Sequence, residues 1–233
     1  MLEASFDDRD VIILIQRFVV VRIRLRKLRL PDGTPDPSFG TDGRVSFGFD
    51  APDVYAYPMT VLVQGDGRIV LAGFASNNWD TGTPNGNVAV ARLLENGALD
   101  PSFGVDGKAL IAIDAVPNGI DVAMSGQLLR QGKILLAGRA DQLHTAGNML
   151  MQLNSDGTPD STFGDRGVET HSFVAGDQVA QITTGVEAQG VDFIVGGSAS
   201  TSSEATSFAA RIKGVNAQLP SGHSRHSRPT FSP

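Results

Sequence analysis

The feature that most constrains this chain is an internal repeat of about sixty residues. The segment Asp36-Pro-Ser-Phe-Gly-Thr-Asp-Gly43 recurs as Asp100-Pro-Ser-Phe-Gly-Val-Asp-Gly107 and, more loosely, as Asp160-Ser-Thr-Phe-Gly-Asp-Arg-Gly167. Its phenylalanines, Phe39, Phe103 and Phe163, step by 64 and 60 residues. A second marker, Gly67-Arg-Ile-Val-Leu-Ala-Gly73, matches Gly132-Lys-Ile-Leu-Leu-Ala-Gly138 and, in a weaker copy, Val191-Asp-Phe-Ile-Val-Gly-Gly197. A third, Val88-Ala-Val-Ala-Arg-Leu93, matches Met149-Leu-Met-Gln-Leu153 and Phe208-Ala-Ala-Arg-Ile212. Three markers in one order and one phase define a structural unit used repeatedly, and such units bury their faces by stacking on one another.

Each unit divides into four short strands. In the first complete unit they fall near Thr60–Gln64, Arg68–Ala75, Asn87–Leu94 and Lys108–Ile113. Asp66-Gly67 predicts a hairpin of type I′, which requires φ > 0 at both central residues, and Asn96-Gly97 and Asp106-Gly107 are turn signals of the same kind. The 27 glycines suit many tight turns. No stretch sustains an apolar period of 3.6, so almost no helix is expected. Four antiparallel strands per repeat is the make-up of a β-propeller blade. The predicted fold is all-β: a propeller-like array of roughly three and a half blades, incomplete or open, since a closed ring takes about four to eight. Gly73 and its equivalents are explained equally by close approach of blades near the axis and by a β-bulge.

The quoted residues resemble the delta-sixty repeat, a bacterial family of β-propeller repeats. Its pattern, similar to LDPSFGxDGxV, DGKIVLAG and ARxxxDGxLD, is carried most clearly by Leu99–Gly107, Gly132–Gly138 and Ala91–Asp100. The resemblance covers roughly Pro31 to Lys213 in three copies. It implies architecture, and proteins that are often large and exported; it supplies no catalytic residues.

The domain reading follows. Residues 1–30 form an atypical basic segment, partly strand; 31–213 are the repeat domain, with units near 31–97, 98–157 and 158–213; 214–233, rich in Ser, His, Arg and Pro, is expected to be disordered. Within the first segment Arg22, Arg24 and Arg26 alternate with Val21, Ile23 and Leu25, which places the arginines on one face of a strand. A solvated edge strand whose charges block pairing is favoured there over a surface for an anionic polymer. The apolar run Val11–Ile15, resumed at Phe18–Val21, is too short and interrupted for a membrane span. Glu3, Asp7, Asp8 and Asp10 stand where a signal peptide needs basic residues, so no signal peptide is visible and the compartment stays open.

The chemistry available is narrow. A net charge of −6 argues against nucleic acid as a partner. With no cysteine, thiolate nucleophiles, disulfides and Cys-based zinc sites are excluded. There is no G-x-S-x-G, no phosphate loop and no dinucleotide fingerprint. The Asp-Gly pairs at Asp32, Asp42, Asp66, Asp106 and Asp156 are read as turns rather than calcium ligands, since calcium needs six to eight converging oxygens. His144, His171, His223 and His226 are too scattered for a metal site. Phe39, Phe103 and Phe163 are read as core anchors between blades. No catalytic, cofactor or metal residues are assigned. The binding-site candidate is the loop carrying Asn77, Asn78, Trp79 and Asp80, an insertion on a rigid scaffold. The reading is a scaffold, uncharacterised in its partner and more in keeping with a non-enzyme, that binds a protein or polysaccharide, with self-association through its open end blades as a further expectation. The alternative is a fragment of a larger exported enzyme or glycan-binding protein.

Overall fold

The computed structural model describes residues 11–15, 19–23, 34–49, 55–77, 85–113, 119–142, 145–172, 180–189, 192–200 and 204–213. Strands β1 (Val11–Ile15), β2 (Val19–Ile23) and β3 (Val45–Phe47) form an N-terminal sheet in the order β2-β1-β3, with β1 and β3 parallel. Strands β4 (Tyr55–Val63), β5 (Ile69–Asn77), β6 (Asn85–Leu93) and β7 (Lys108–Ile111) form the first blade, an antiparallel meander in chain order. Strands β8 (Val122–Leu128), β9 (Ile134–Gln142), β10 (Thr145–Leu153) and β11 (Val168–His171) form the second blade with the same topology. Strands β12 (Ala180–Gln189), β13 (Asp192–Ser200) and β14 (Ala205–Ile212) form a three-stranded sheet. No α-helix occurs among the described residues; Arg130–Gly132 make a short 3-10 turn. The chain is therefore all-β and built of propeller-like blades. The parallel β1–β3 pairing sets the N-terminal sheet apart from the meanders. Of the basic stripe, Arg22 lies in β2, whereas Arg24, Arg26 and the tail 214–233 lie outside the described residues.

The second strand of each blade reads as an unbroken apolar run because sheets cover both of its faces. Alternate residues of β5 enter different cores. Ile69, Leu71 and Ala75 pack with Phe39, whereas Val70 and Ala72 pack with Phe103 and with Ile134 and Leu136 of the second blade. The same division recurs in β9, where Leu135 and Ala137 join Phe163, Phe193 and Val195. Each repeated phenylalanine is thus the core residue between one sheet and the next, and Phe39, Phe103 and Phe163 are 1%, 0% and 4% exposed. The reading of these three as anchors between blades holds.

The two explanations offered for Gly73 separate in favour of the bulge. Pro58 faces Gly73, Ala123 faces Gly138 and Thr183 faces Gly197, and in each of these three sheets the register slips by one residue there. The first strand bulges opposite the glycine, at Met59, Met124 and Thr184. A Cβ on Gly73 or Gly138 would stand 1.9 Å from the carbonyl oxygen of Tyr57 or Val122, and on Gly197 2.1 Å from that of Ile182.

Turn chemistry follows the expectation at one position and departs at two. Asp106 and Gly107 both have positive φ, 51° and 87°, as do Asp42 and Gly43, at 53° and 77°. At Asp66-Gly67 and Asn96-Gly97 only the glycine is left-handed, at φ 86° in each. There the loop is longer than two residues. Gln64 N–H bonds the Arg68 carbonyl and Gly67 N–H bonds the Gln64 carbonyl, so a wider turn ends in a glycine instead of forming type I′. The Asp66 carboxylate then accepts from Arg68 N–H at 3.1 Å.

Replacing Gly138 by alanine drives a methyl group into the Val122 carbonyl. The expected cost is roughly 1–3 kcal/mol, as for overpacking, read as a lowered urea midpoint with an unchanged slope. Gly185→Ala, where nothing lies within 4 Å of the added Cβ, is expected to be near neutral in the same assay.

Candidate functional site

The polar residues that recur with the repeat converge on one place in each blade. Asp100 opens the marker loop between β6 and β7. Its Oδ1 accepts from the Ser102 N–H at 3.0 Å and the Ser102 hydroxyl at 2.7 Å, closing a local turn. Its Oδ2 accepts from Arg92 Nε at 2.7 Å, with Arg68 Nε at 3.2 Å. Arg92 comes from β6, and Arg68 immediately precedes β5, so one carboxylate ties the loop to two strands. The Arg92 side chain is 4% exposed. Its guanidinium lies 4.7 Å over the centre of the Phe103 ring, and it also donates to the Ser102 hydroxyl at 3.0 Å and to the Ser155 carbonyl of the second blade.

The second blade repeats the arrangement with different residues. Asp160 Oδ1 accepts from the Thr162 N–H at 3.0 Å and hydroxyl at 2.7 Å. Its Oδ2 accepts from Lys133 Nζ and from Gln152 Nε2, each at 2.5 Å. Lys133 stands in the place of Arg68 and Gln152 in that of Arg92. Burial alone would raise both carboxyl groups. The Ser102 hydrogen bonds and Arg92 overcome it at Asp100, and Lys133, Thr162 and Gln152 overcome it at Asp160, so both lie below the ordinary aspartate range. Asp36 in the first marker is held low as well, by the Ser38 hydroxyl and N–H.

These clusters are internal supports. Their acids are saturated by donors and buried at 2% and 3% exposure, so they have no lone pair to offer a substrate. Taken one at a time, Asp100, Asp160, Arg68, Lys133 and Arg92 carry no mark of this role in the sequence. The signal that finds them is phase: an aspartate opens the first marker in all three copies, and a base follows the first glycine of the second marker in the two closer copies, at Arg68 and Lys133.

Of the candidate binding loop, Asn77 ends β5 and stands opposite Asn85 of β6. Asn78, Trp79 and Asp80 lie outside the described residues. The structure brings another pair of loops together instead. The β4–β5 turn (Gln64, Gly65, Asp66) and the β8–β9 turn (Arg130, Gln131, Gly132) line a shallow cleft of about 470 Å³. Among the other residues considered, His171 in β11 sits 3.1 Å from Glu169, while His144 lies outside the described residues. Of the Asp-Gly aspartates, Asp156 Oδ1 accepts from the Thr158 N–H at 2.9 Å and hydroxyl at 2.6 Å, Asp66 accepts from the Arg68 N–H, Asp42 and Asp106 take left-handed turn positions, and Asp32 lies outside the described residues. No group of three or more His, Cys, Asp or Glu converges among the described residues.

Removing Asp100 leaves Arg92 buried without its charge partner, so Asp100→Ala is expected to cost about 3–5 kcal/mol. Asp160→Ala is expected to cost less, because Lys133 is 28% exposed and can turn to water. Both carboxyl groups have folded-state values below their unfolded value of about 3.9. Their contribution is therefore complete above that value and lost as pH falls below it. Melting temperatures measured from pH 7 down to 2.5 should drop below about pH 4, and the two alanine variants should show a shallower drop.

The family profile described as a domain of unknown function (DUF5122) beta-propeller matches residues 64–103 and 132–163. No curated protein and no solved structure matches the chain. The two matched stretches hold the Arg68–Arg92–Asp100 cluster and the Lys133–Gln152–Asp160 cluster, so the similarity falls on the supports of the first and second blades. The chain is thus similar, through those two blades, to a β-propeller domain whose function is not established.

Proposed function

We propose that this chain is a non-catalytic β-propeller-type repeat scaffold whose loops bind another protein or a polysaccharide. The observation that carries the reading is the use made of the repeated polar residues. Asp36, Asp66, Asp100, Asp156 and Asp160 all have side-chain oxygens engaged in closing turns or in ion pairs. The repeat consumes its own chemistry in holding the blades, and binding falls to what varies between units.

The largest variation is the insertion between β5 and β6. The register Asn77↔Asn85 supports this loop as a binding element by closing its base with a paired strand end. Trp79 supplies a large flat apolar surface, and Asn77, Asn78 and Asp80 supply amide and carboxylate groups. That combination suits a sugar ring, whose C–H face stacks on an aromatic while its hydroxyls hydrogen-bond, and it suits a polar peptide loop equally.

The test is a glycan array together with affinity capture from cell-envelope extracts, using the intact chain and Trp79→Ala. Trp79→Ala should weaken any specific binding at least ~tenfold, the loss of one aromatic anchor, with an unchanged melting temperature. Empty arrays and empty captures for the intact chain would remove the proposal; binding that survives Trp79→Ala would move the site elsewhere.

A further inference from the structure

The cleft between the first two blades is lined by positions at which those blades depart from each other. Its two turns align through their closing glycines, Gly67 and Gly132, at φ 86° and 73°. Val63 faces Ile69 as Leu128 faces Ile134, so Gln64, Gly65 and Asp66 correspond to Leu129, Arg130 and Gln131. Both turns begin with the same backbone bond: Gln64 N–H to the Arg68 carbonyl and Leu129 N–H to the Lys133 carbonyl, each at 2.8 Å. They then diverge. In the first blade Gly67 N–H bonds the Gln64 carbonyl at 3.0 Å. In the second Lys133 N–H bonds the Arg130 carbonyl at 3.2 Å, and Gln131 turns left-handed at φ 59°.

Two of these departures work against stability. Leu129 is 3% exposed and packs with Phe163 and Phe193. In its place the first blade has Gln64, whose Oε1 is shut off from water and has no hydrogen-bond partner among the described residues. A buried acceptor without a donor destabilises the fold. Left-handed backbone is taken readily by glycine and tolerated by asparagine and aspartate, whereas Gln131 has neither a missing Cβ nor a short side chain to relieve it. Backbone strain and unsatisfied polar groups gather at functional sites, where they serve something other than stability. Here one such residue from each blade lines the same cleft.

We infer that this cleft binds a neutral saccharide of one or two rings through the side-chain amides of Gln64 and Gln131. Its volume of about 470 Å³ lies within the range of roughly 300–1,000 Å³ usual for small-ligand sites. An amide both donates and accepts, and so does a sugar hydroxyl, so each glutamine can serve a hydroxyl in either direction. One carboxylate, Asp66, and one guanidinium, Arg130, line the cleft, so its charges balance and favour neither an anion nor a cation. No aromatic side chain lines it, so a ring is held by its hydroxyl edge and not by stacking.

The glycine beside Gln131 keeps the cleft open. A Cβ on Gly132 would stand 3.1 Å from the Ser155 Cβ and 4.0 Å from Gln64 Nε2, in the space between the two blades. The terminal torsion of a glutamine is soft, so the Gln64 amide can rotate its Oε1 toward a ligand hydroxyl, and that oxygen gives up no bond in doing so. The site is separate from the insertion that carries Trp79. The cleft turns precede β5 and β9 at Ile69 and Ile134, whereas the insertion leaves β5 at its opposite end, Asn77. The inference therefore stands apart from the role proposed for that loop.

The test is saturation-transfer NMR on the full chain with cellobiose, maltose and lactose as neutral probes, and with glucuronate and triglycine as charged and peptide controls. Gln64→Leu, which copies the second blade, Gln131→Gly and Trp79→Ala are measured beside the unmodified chain. At least one neutral disaccharide is expected to bind the unmodified chain and Trp79→Ala alike. Gln64→Leu and Gln131→Gly are each expected to weaken it at least ~tenfold. Both should also raise the melting temperature, by roughly 2–4 °C, because each removes an unfavourable feature. A purely structural role for the two glutamines predicts the opposite sign, and a lowered melting temperature in both variants would overturn the inference. So would silence from all three disaccharides, stronger binding of glucuronate or triglycine, or binding that both cleft variants retain. Loss of binding in Trp79→Ala with full binding in the cleft variants would place the sugar at the insertion and overturn the cleft alone.

Discussion

The two complete blades depend on a buried carboxylate at the start of the marker loop, Asp100 in one and Asp160 in the other. One oxygen of Asp100 closes the turn that aims Phe103 inward, and the other holds Arg92 and Arg68. Phe103 can fill the gap between blades only if its loop is folded back on the third strand, and the aspartate does that folding. Backbone bonds complete it: Asp100 N–H to the Arg92 carbonyl and Arg92 N–H to the Gly107 carbonyl, each at 2.9 Å. A buried ion pair by itself is weak evidence of stability, because desolvation offsets attraction. Its value here lies in geometry, since the same group that satisfies Arg92 also places the largest apolar side chain of the interface.

The two marker joints are alike in backbone and unlike in side chains. Arg92 crosses to the Ser155 carbonyl of the second blade and stacks on Phe103. Gln152, its counterpart, is shorter. Its Nε2 reaches Asp160, but its Oε1 is buried with no hydrogen-bond partner among the described residues. A buried, unsatisfied acceptor costs about 1–3 kcal/mol. The joint between the second blade and the third sheet relies more on Phe163 against Phe193, with ring centres 6.3 Å apart. It also relies on Gln127, which bonds the Glu187 carboxylate at 3.2 Å and the Ala188 N–H.

Much of this was legible in the residues. The strand markers predict elements within a few residues of those found, because an apolar run bounded by turn signals is a local property. The phenylalanines were legible as anchors because they recur in phase with the turns. The type of the Asp66-Gly67 turn was not, since it depends on where the ladder ends, and the ladder ends at Gln64 and Arg68 rather than beside the pair. The role of Gly73 was half legible: a glycine in a strand signals a bulge or a close approach, and only the Pro58 register decides. Of the binding loop, the sequence marks the insertion, and the described residues reach only to Asn77.

The sequence by itself determined the unit: its length, its four strands, its turns and the residues that point into a core. Those are short-range consequences of period-two patterning and of the backbone angles that glycine and aspartate accept. Only the tertiary structure decided what the unit's polar residues are for. Asp100 and Arg92 are eight residues apart in the chain and could have faced solvent or a ligand. They face each other because the marker loop folds back across β6, and the next blade then shuts water out from both.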